Sequence, residues 1–172
     1  MSGDEVVAEM DVPPMQVVIE AYITSAGRAY RYADHYRAKG AYVCLGGLHP
    51  TSLPEEAARH ADSVFCGPGE DTWPAFLTDL ARGAPVRSRY EQADRTDMAA
   101  VPTPRYDLVR AGHYMMASLQ FSRGCPFLCE FCDIITVFGR RPRLKSPAQM
   151  LAEFDAVAAA GFRACFLVDD NF

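Results

Sequence analysis

The chain has 172 residues, 49% of them hydrophobic and 23% charged, with a formal net charge of −5. That length suits one ordinary domain or parts of two, at roughly 100–200 residues each, and the composition predicts packed cores rather than disorder. The mild acidity argues against a general nucleic-acid binder, no apolar run approaches the ~20 residues of a membrane span, and the opening Met1-Ser-Gly-Asp-Glu5 lacks the basic and apolar regions of a secretory signal. A cytoplasmic location is the resulting expectation.

Taken in chain order, the predicted elements alternate between strand and helix. Residues 16–24 are β-branched and apolar and predict a strand. Over 26–39, Ala26, Tyr30, Ala33 and Tyr36 form one helical stripe, and Gly40 stands where a helix C′ residue belongs. A second strand, 41–45, stops at Gly46-Gly47. A short helix follows, capped by Thr51 or Ser52, with Pro54, Glu55 and Glu56 in its first turn, where proline and negative charge both fit. A third strand, 63–66, is closed by Gly67-Pro68-Gly69, and a helix over 70–82 carries Trp73, Phe76, Leu77 and Leu80 on one face. Strands alternating with helices imply a parallel sheet covered on both sides.

From residue 84 the chain turns polar, with Pro85, Pro102 and Pro104 and no clear period, which predicts a linker over 84–112 between domains at 1–83 and 113–172. A strand over 115–121 leads into a cysteine-rich loop. The helix over 147–160 is well specified: Ser146 is its N-cap, Pro147 is at N1, and Gly161 ends it. Met150, Leu151, Phe154, Val157 and Ala158 make its apolar face. A last strand, 164–168, runs into Asp169-Asp170-Asn171.

Three of the six cysteines, Cys44, Cys66 and Cys165, sit in apolar strand-like runs, where a thiol behaves as a small hydrophobe. The other three, Cys125, Cys129 and Cys132, lie within eight residues at spacing C-x3-C-x2-C. Clustering of this kind points to a metal or cluster site rather than a disulfide framework. Three thiolates can each bind one iron of a cubane cluster that normally takes four, leaving one iron open to a chelating small molecule. The loop also follows a strand end, where α/β folds place their sites. Structural zinc is the competing reading; it prefers four ligands from two C-x2-C-like pairs, and here only Cys129 and Cys132 form one.

The segment from Ser122 to Asp133, with aromatic Phe131 before the third cysteine, resembles the signature of the radical S-adenosylmethionine superfamily. The runs from Gly139 to Ser146 and from Val168 to Phe172 resemble, within it, the proteins with an N-terminal cobalamin-binding domain, in a group that includes hopanoid methylases. The resemblance implies a [4Fe–4S] cluster on Cys125, Cys129 and Cys132, with Phe131 beside the adenine of S-adenosylmethionine. It also places Asp169, Asp170 and Asn171 near the cosubstrate's amino group. The basic run Arg140, Arg141, Arg143, Lys145 is read as a solvated loop.

Residues 16–83 are similar to the C-terminal half of a cobalamin-binding Rossmann-like domain. Gly46 and Gly47 match the glycine pair that admits the cofactor's nucleotide tail, since glycine at a strand end allows close backbone approach. The cobalt-ligating D-x-H-x-x-G motif is absent: His35 follows Asp34 directly, and His49 and His60 read as ordinary surface or interface histidines.

The expected fold is therefore α/β, a partial Rossmann-like domain followed by the first β-α-β unit of a radical S-adenosylmethionine (β/α) barrel. A barrel needs roughly 200 residues or more, so the chain is expected to be a stretch of a longer enzyme that does not turn over alone. The implied reaction is reductive cleavage of S-adenosylmethionine to a 5′-deoxyadenosyl radical, with methyl transfer if the first domain carries cobalamin. The implied partners are a small-molecule or lipid-like substrate and an external electron donor. A non-catalytic iron–sulfur or zinc module, or an inactive truncated product, is the alternative.

Overall fold

The computed structural model describes residues 15–83, 86–92 and 95–171. The N-terminal segment read for a signal, Pro85 and Phe172 lie outside the described residues. The chain is α/β and divides into two units, Met1–Asp94 and Arg95–Phe172.

The first unit is a four-stranded parallel sheet in the order β1 (Gln16–Glu20), β2 (Tyr42–Gly46), β3 (Ser63–Cys66), β4 (Arg89–Glu91). Alternation along the strands splits its core in two, because successive side chains point to opposite faces. Val43 and Leu45 of β2 and Val64 and Cys66 of β3 meet α1 (Ala26–Ala38) through Ala26, Tyr30, Ala33 and Tyr36. Cys44 and Phe65 face the other way, onto Phe76 of α4 (Thr72–Ala81) and Tyr90 of β4. The Phe65 and Tyr90 rings stack at 5.1 Å, and Phe76 meets each edge-on at 5.5 Å. Offset-stacked and edge-on rings match their quadrupoles, which adds to the burial itself. Two short helices, α2 (Leu48–Ser52) and α3 (Pro54–Ala57), join β2 to β3.

Several expectations change here. The linker predicted over 84–112 contains β4, a three-residue strand in which Tyr90 alone is buried. Its Arg and Glu neighbours hid it, yet it pairs in register with β3 through Val64↔Arg89 and Cys66↔Glu91. Neither Thr51 nor Ser52 caps α3; both lie in α2, and Leu53 precedes α3 without a side-chain cap. On α4, Leu77 and Leu80 are exposed, and Phe76 carries the packing.

The second unit opens with three 3-10 turns at Met98–Ala100, Tyr106–Leu108 and Ala111–His113. Strand β5 (Ala117–Leu119) pairs in parallel with β8 (Cys165–Leu167), and α6 (Pro147–Ala159) crosses between them. Ala117, Leu119, Tyr106, Met150 and Val157 form the core of this β-α-β unit. The capping box is complete: Ser146 Oγ accepts from the Gln149 amide, and Gln149 Oε1 accepts from the Ser146 amide. Gly161 follows with φ +88°, the left-handed stop that the sequence predicts. The buried line of α6, however, is Met150, Glu153 and Val157, while Leu151 and Phe154 are exposed. Between β5 and α6 lie β6 (Ser122–Arg123), α5 (Ile134–Val137) and β7 (Arg143–Leu144); β6 and β7 pair antiparallel. Among the described residues no helix is long and apolar enough to cross a membrane.

Candidate functional site

The cysteine loop is a protrusion closed at its base. The β6–β7 ribbon pairs Ser122 with Leu144 and Arg123 with Arg143, so residues 124–142 leave and return at one point. Gly124 makes that closure possible. Its φ is +99°, and a Cβ there would stand 2.8 Å from the Arg141 carbonyl oxygen and 3.0 Å from that of Gly139. No other residue fits so close a backbone crossing. Immediately after it, the Cys125 amide donates to the Gly139 carbonyl at 3.2 Å.

Within the loop, Cys125 and Cys132 are half-buried and Cys129 is exposed, all three as free thiols. The Cys132 amide donates to the Cys129 carbonyl at 3.2 Å, turning the chain between these two sulfurs. Phe131 is 93% exposed, and Phe127 and Leu128 are exposed beside it. Large apolar side chains held in water at a loop tip mark a surface that something else covers.

Arginines fasten the loop's return. Arg95 donates to the carbonyls of Val137 and of Thr136, and Arg143 to those of Phe138 and Thr96. These carbonyls include the C-terminal end of α5, where orphan acceptors and the negative end of the helix dipole favour a cation. Arg140 donates to the Pro126 carbonyl, and the Arg123 guanidinium lies 5.7 Å from the centre of the Phe138 ring. The expectation of a solvated basic run fits exposed Arg140 and Arg141 and is corrected for Arg143 and Lys145. Lys145 is corrected most sharply: it is buried and pairs with buried Glu153 at 2.5 Å.

Because β5 and β8 run parallel, their C-terminal ends lie together, and the Asp169-Asp170-Asn171 segment meets the start of the cysteine loop. Asp169 Oδ1 accepts from the amides of Phe121 at 2.7 Å and Ser122 at 3.1 Å, and its Oδ2 accepts from Ser122 Oγ at 3.0 Å. Asp170 Oδ2 accepts from the Gly124 amide at 2.7 Å. Asn171 contributes its carbonyl, 3.5 Å from Ser122 Oγ, while the residue itself is exposed. The three residues expected at a cosubstrate are thus beside the start of the cysteine loop, with the Asp169 carboxylate already engaged by the chain. Sequence reasoning gave no anchoring role to Ser122, Gly124 or Arg95, and read Arg143 only as part of a solvated run. Only Gly124, directly before the first cysteine, carried a readable signal.

Among the described residues no three His, Cys, Asp or Glu side chains converge closely enough to hold a single metal ion. Three free, part-exposed thiols on one closed loop are the kind of donor set that a three-cysteine cluster would take.

In the first unit, Gly47 has φ +101°, and a Cβ would lie 2.8 Å from Glu20 Cγ and 2.9 Å from the Ala21 carbonyl oxygen. Its own chain therefore demands glycine there, whereas a Cβ on Gly46 would make an ordinary 3.5 Å contact with Phe65. His49 is buried rather than at the surface, with Nε2 3.2 Å from Glu56 Oε1. That hydrogen bond holds Glu56 below the usual carboxylate range. Tyr30 stacks on His60 at 4.3 Å, and burial, with Glu56 nearby, pushes its hydroxyl up to about 12. Cys44 and Cys66 are buried and their thiols raised by burial, but Cys165 is exposed.

No protein-family model matches the chain. It is 42% identical over 158 residues to an uncharacterised methyltransferase of Synechocystis sp., a match covering 91% of this chain and 29% of the relative. It is 48% identical over 134 residues to the hopanoid C-2 methylase of Rhodopseudomonas palustris, covering 76% of this chain and 25% of that one. The chain thus spans well under a third of the length of these relatives. In fold it is similar to the cobalamin-dependent S-adenosylmethionine radical enzyme OxsB, with a TM-score of 0.74 at 20% identity, covering 98% of this chain and 27% of that one. It is likewise similar to the radical S-adenosylmethionine methyltransferase TsrM from Kitasatospora setae, with a TM-score of 0.72 at 18% identity over 97% of this chain and 38% of that one. The chain is thus a relative of methyltransferases, hopanoid methylases among them, and its two α/β units have the fold of the matching parts of two radical S-adenosylmethionine enzymes.

Proposed function

We propose that this chain supplies the cluster loop and part of the cosubstrate site of a radical S-adenosylmethionine methyltransferase, with Cys125, Cys129 and Cys132 as cluster ligands. The observation that carries this reading is the closed loop itself: three free thiols on one protrusion, pinched at Gly124 and the β6–β7 ribbon, at the shared C-terminal end of β5 and β8. The chemistry supplied when a [4Fe–4S] cluster is bound there is one-electron reductive cleavage of the sulfonium of S-adenosylmethionine, the electron coming from an external donor.

The protein's own part is holding and shielding. Three thiolates from one loop fix the orientation of what they bind while leaving one corner for the cosubstrate's amino and carboxylate groups. Phe131, exposed at the loop tip, has the flat apolar face an adenine ring stacks on. Phe127 and Leu128 extend that face and exclude water once it is covered. The first unit is the cobalamin-binding-type half, and methyl transfer to a small-molecule or lipid-like substrate is the outcome proposed for the whole protein.

Anaerobic reconstitution of the chain with iron and sulfide tests this reading. The expected result is an EPR signal of a reduced [4Fe–4S] cluster that changes on adding S-adenosylmethionine and is lost when any of the three cysteines becomes alanine. Stoichiometric zinc with no cluster would establish the structural module instead.

A further inference from the structure

We propose that Asp169 and Asp170 are positioning residues for the cluster loop, a carboxylate clasp that fixes where Cys125 leaves the sheet. The inference rests on the functional reading above and concerns how the loop is held.

Both oxygens of Asp169 are occupied, Oδ1 by two consecutive amides and Oδ2 by a hydroxyl, all on residues 121 and 122. Asp170 takes the amide of Gly124, the residue directly before Cys125. The clasp thus grips the chain at 121, 122 and 124. The Lys145 amide donates to the Phe121 carbonyl at 2.9 Å and completes the anchorage from β7. Hydrogen bonds from amides to a carboxylate are short and about twice as strong as neutral ones, so the first cysteine starts from a fixed point. Gly124 itself has no torsional restraint from a side chain. Without the clasp, the most permissive kind of residue would set the direction of the first thiolate. The Asp169 carboxylate, with three of its roughly four lone-pair sites already taken by the chain, has little acceptor capacity left for a ligand.

The two roles separate by substitution at Asp170. The D170N side chain keeps an oxygen to accept from the Gly124 amide but has no charge for an ammonium, whereas D170A keeps neither. In the cluster-free chain, D169A is expected to speed amide exchange at Phe121 and Ser122, and D170A at Gly124, by roughly ten- to a hundredfold. D170N brings Gly124 back toward the wild-type rate, short of it by the share that charge assistance contributes. After reconstitution, both alanine variants are expected to hold at most half the wild-type iron and to show an altered EPR spectrum before any S-adenosylmethionine is added, with D170N again restoring both. Far-UV circular dichroism checks folding, and should D169A unfold, the D170A and D170N comparison decides alone.

Alanine variants with wild-type exchange and wild-type iron overturn the proposal. So does a wild-type spectrum without cosubstrate combined with loss of the change on adding it, which would make the pair cosubstrate ligands. A wild-type chain that takes up no cluster sinks the functional reading and this proposal with it. A wild type that loads beside alanine variants that load equally sinks this proposal alone.

Discussion

Replacing Lys145 by methionine removes one partner from the buried pair with Glu153, and its cost can be worked from the structure. The two side chains are 3% and 1% exposed, and Glu153 Oε2 has no hydrogen-bond partner among the described residues. With Lys145 gone, a buried carboxylate on α6 remains without its countercharge. Breaking such a pair costs about 3–5 kcal/mol. A domain of 60–100 residues shifts by about 4–8 °C for each kcal/mol, so the unit should melt more than about 12 °C lower. The exposed pair Arg105–Asp107, at 70% and 60% exposure, offers the contrast; R105A should leave the unfolding midpoint close to that of wild type. Urea titration followed by circular dichroism measures both. The decisive variant is K145M/E153L, which removes the charges together and should come within about 1 kcal/mol of wild type or exceed it. A double variant as unstable as K145M, or a K145M chain indistinguishable from wild type, would refute the account of Glu153 as a stranded charge.

Three further outcomes follow from geometry. Gly47→Ala should destabilise the first unit by about 1–3 kcal/mol because it combines a positive φ with a 2.8 Å clash, whereas Gly46→Ala should cost far less; thermal melts of the two compare them. Ser146→Ala removes half of the capping box and should cost about 1 kcal/mol, read by urea titration. Tyr30 should stay protonated until about pH 12, so the difference between wild-type and Y30F tyrosinate absorbance should show no ionisation near pH 10. Since its folded value is raised, the associated stability is present below the unfolded value near 10 and is lost as pH rises through about 12.

Local chemistry made much of the fold legible. Helix α6 was readable at both ends because Ser146, Pro147 and Gly161 each act on the backbone within one turn. The first three strands of the parallel sheet were legible from their apolar runs. Strand β4 was not, because three residues with one buried side chain carry no period, and its formation is dictated by the free edge of β3. Lys145 was misread for a related reason. It looks solvent-facing alone, and only the fold, by burying it beside Glu153, shows that the two neutralise one another. At the candidate site the cysteine spacing named the chemistry, but the partners of Asp169 and Asp170 lie 46 to 48 residues away. No local pattern encodes a contact across that separation.

That separation also sets an order of events during synthesis. Chains grow at about 5–20 residues per second, so Asp170 is added roughly 2–9 s after Gly124. Until then the thiol-bearing segment has left the ribosome's active centre without the residues that grip its root. On the proposed function, loading of a cluster in a fixed geometry would have to wait for the second strand of the β-α-β unit. An oxidant or a stray metal ion meets the three thiols most easily in that interval.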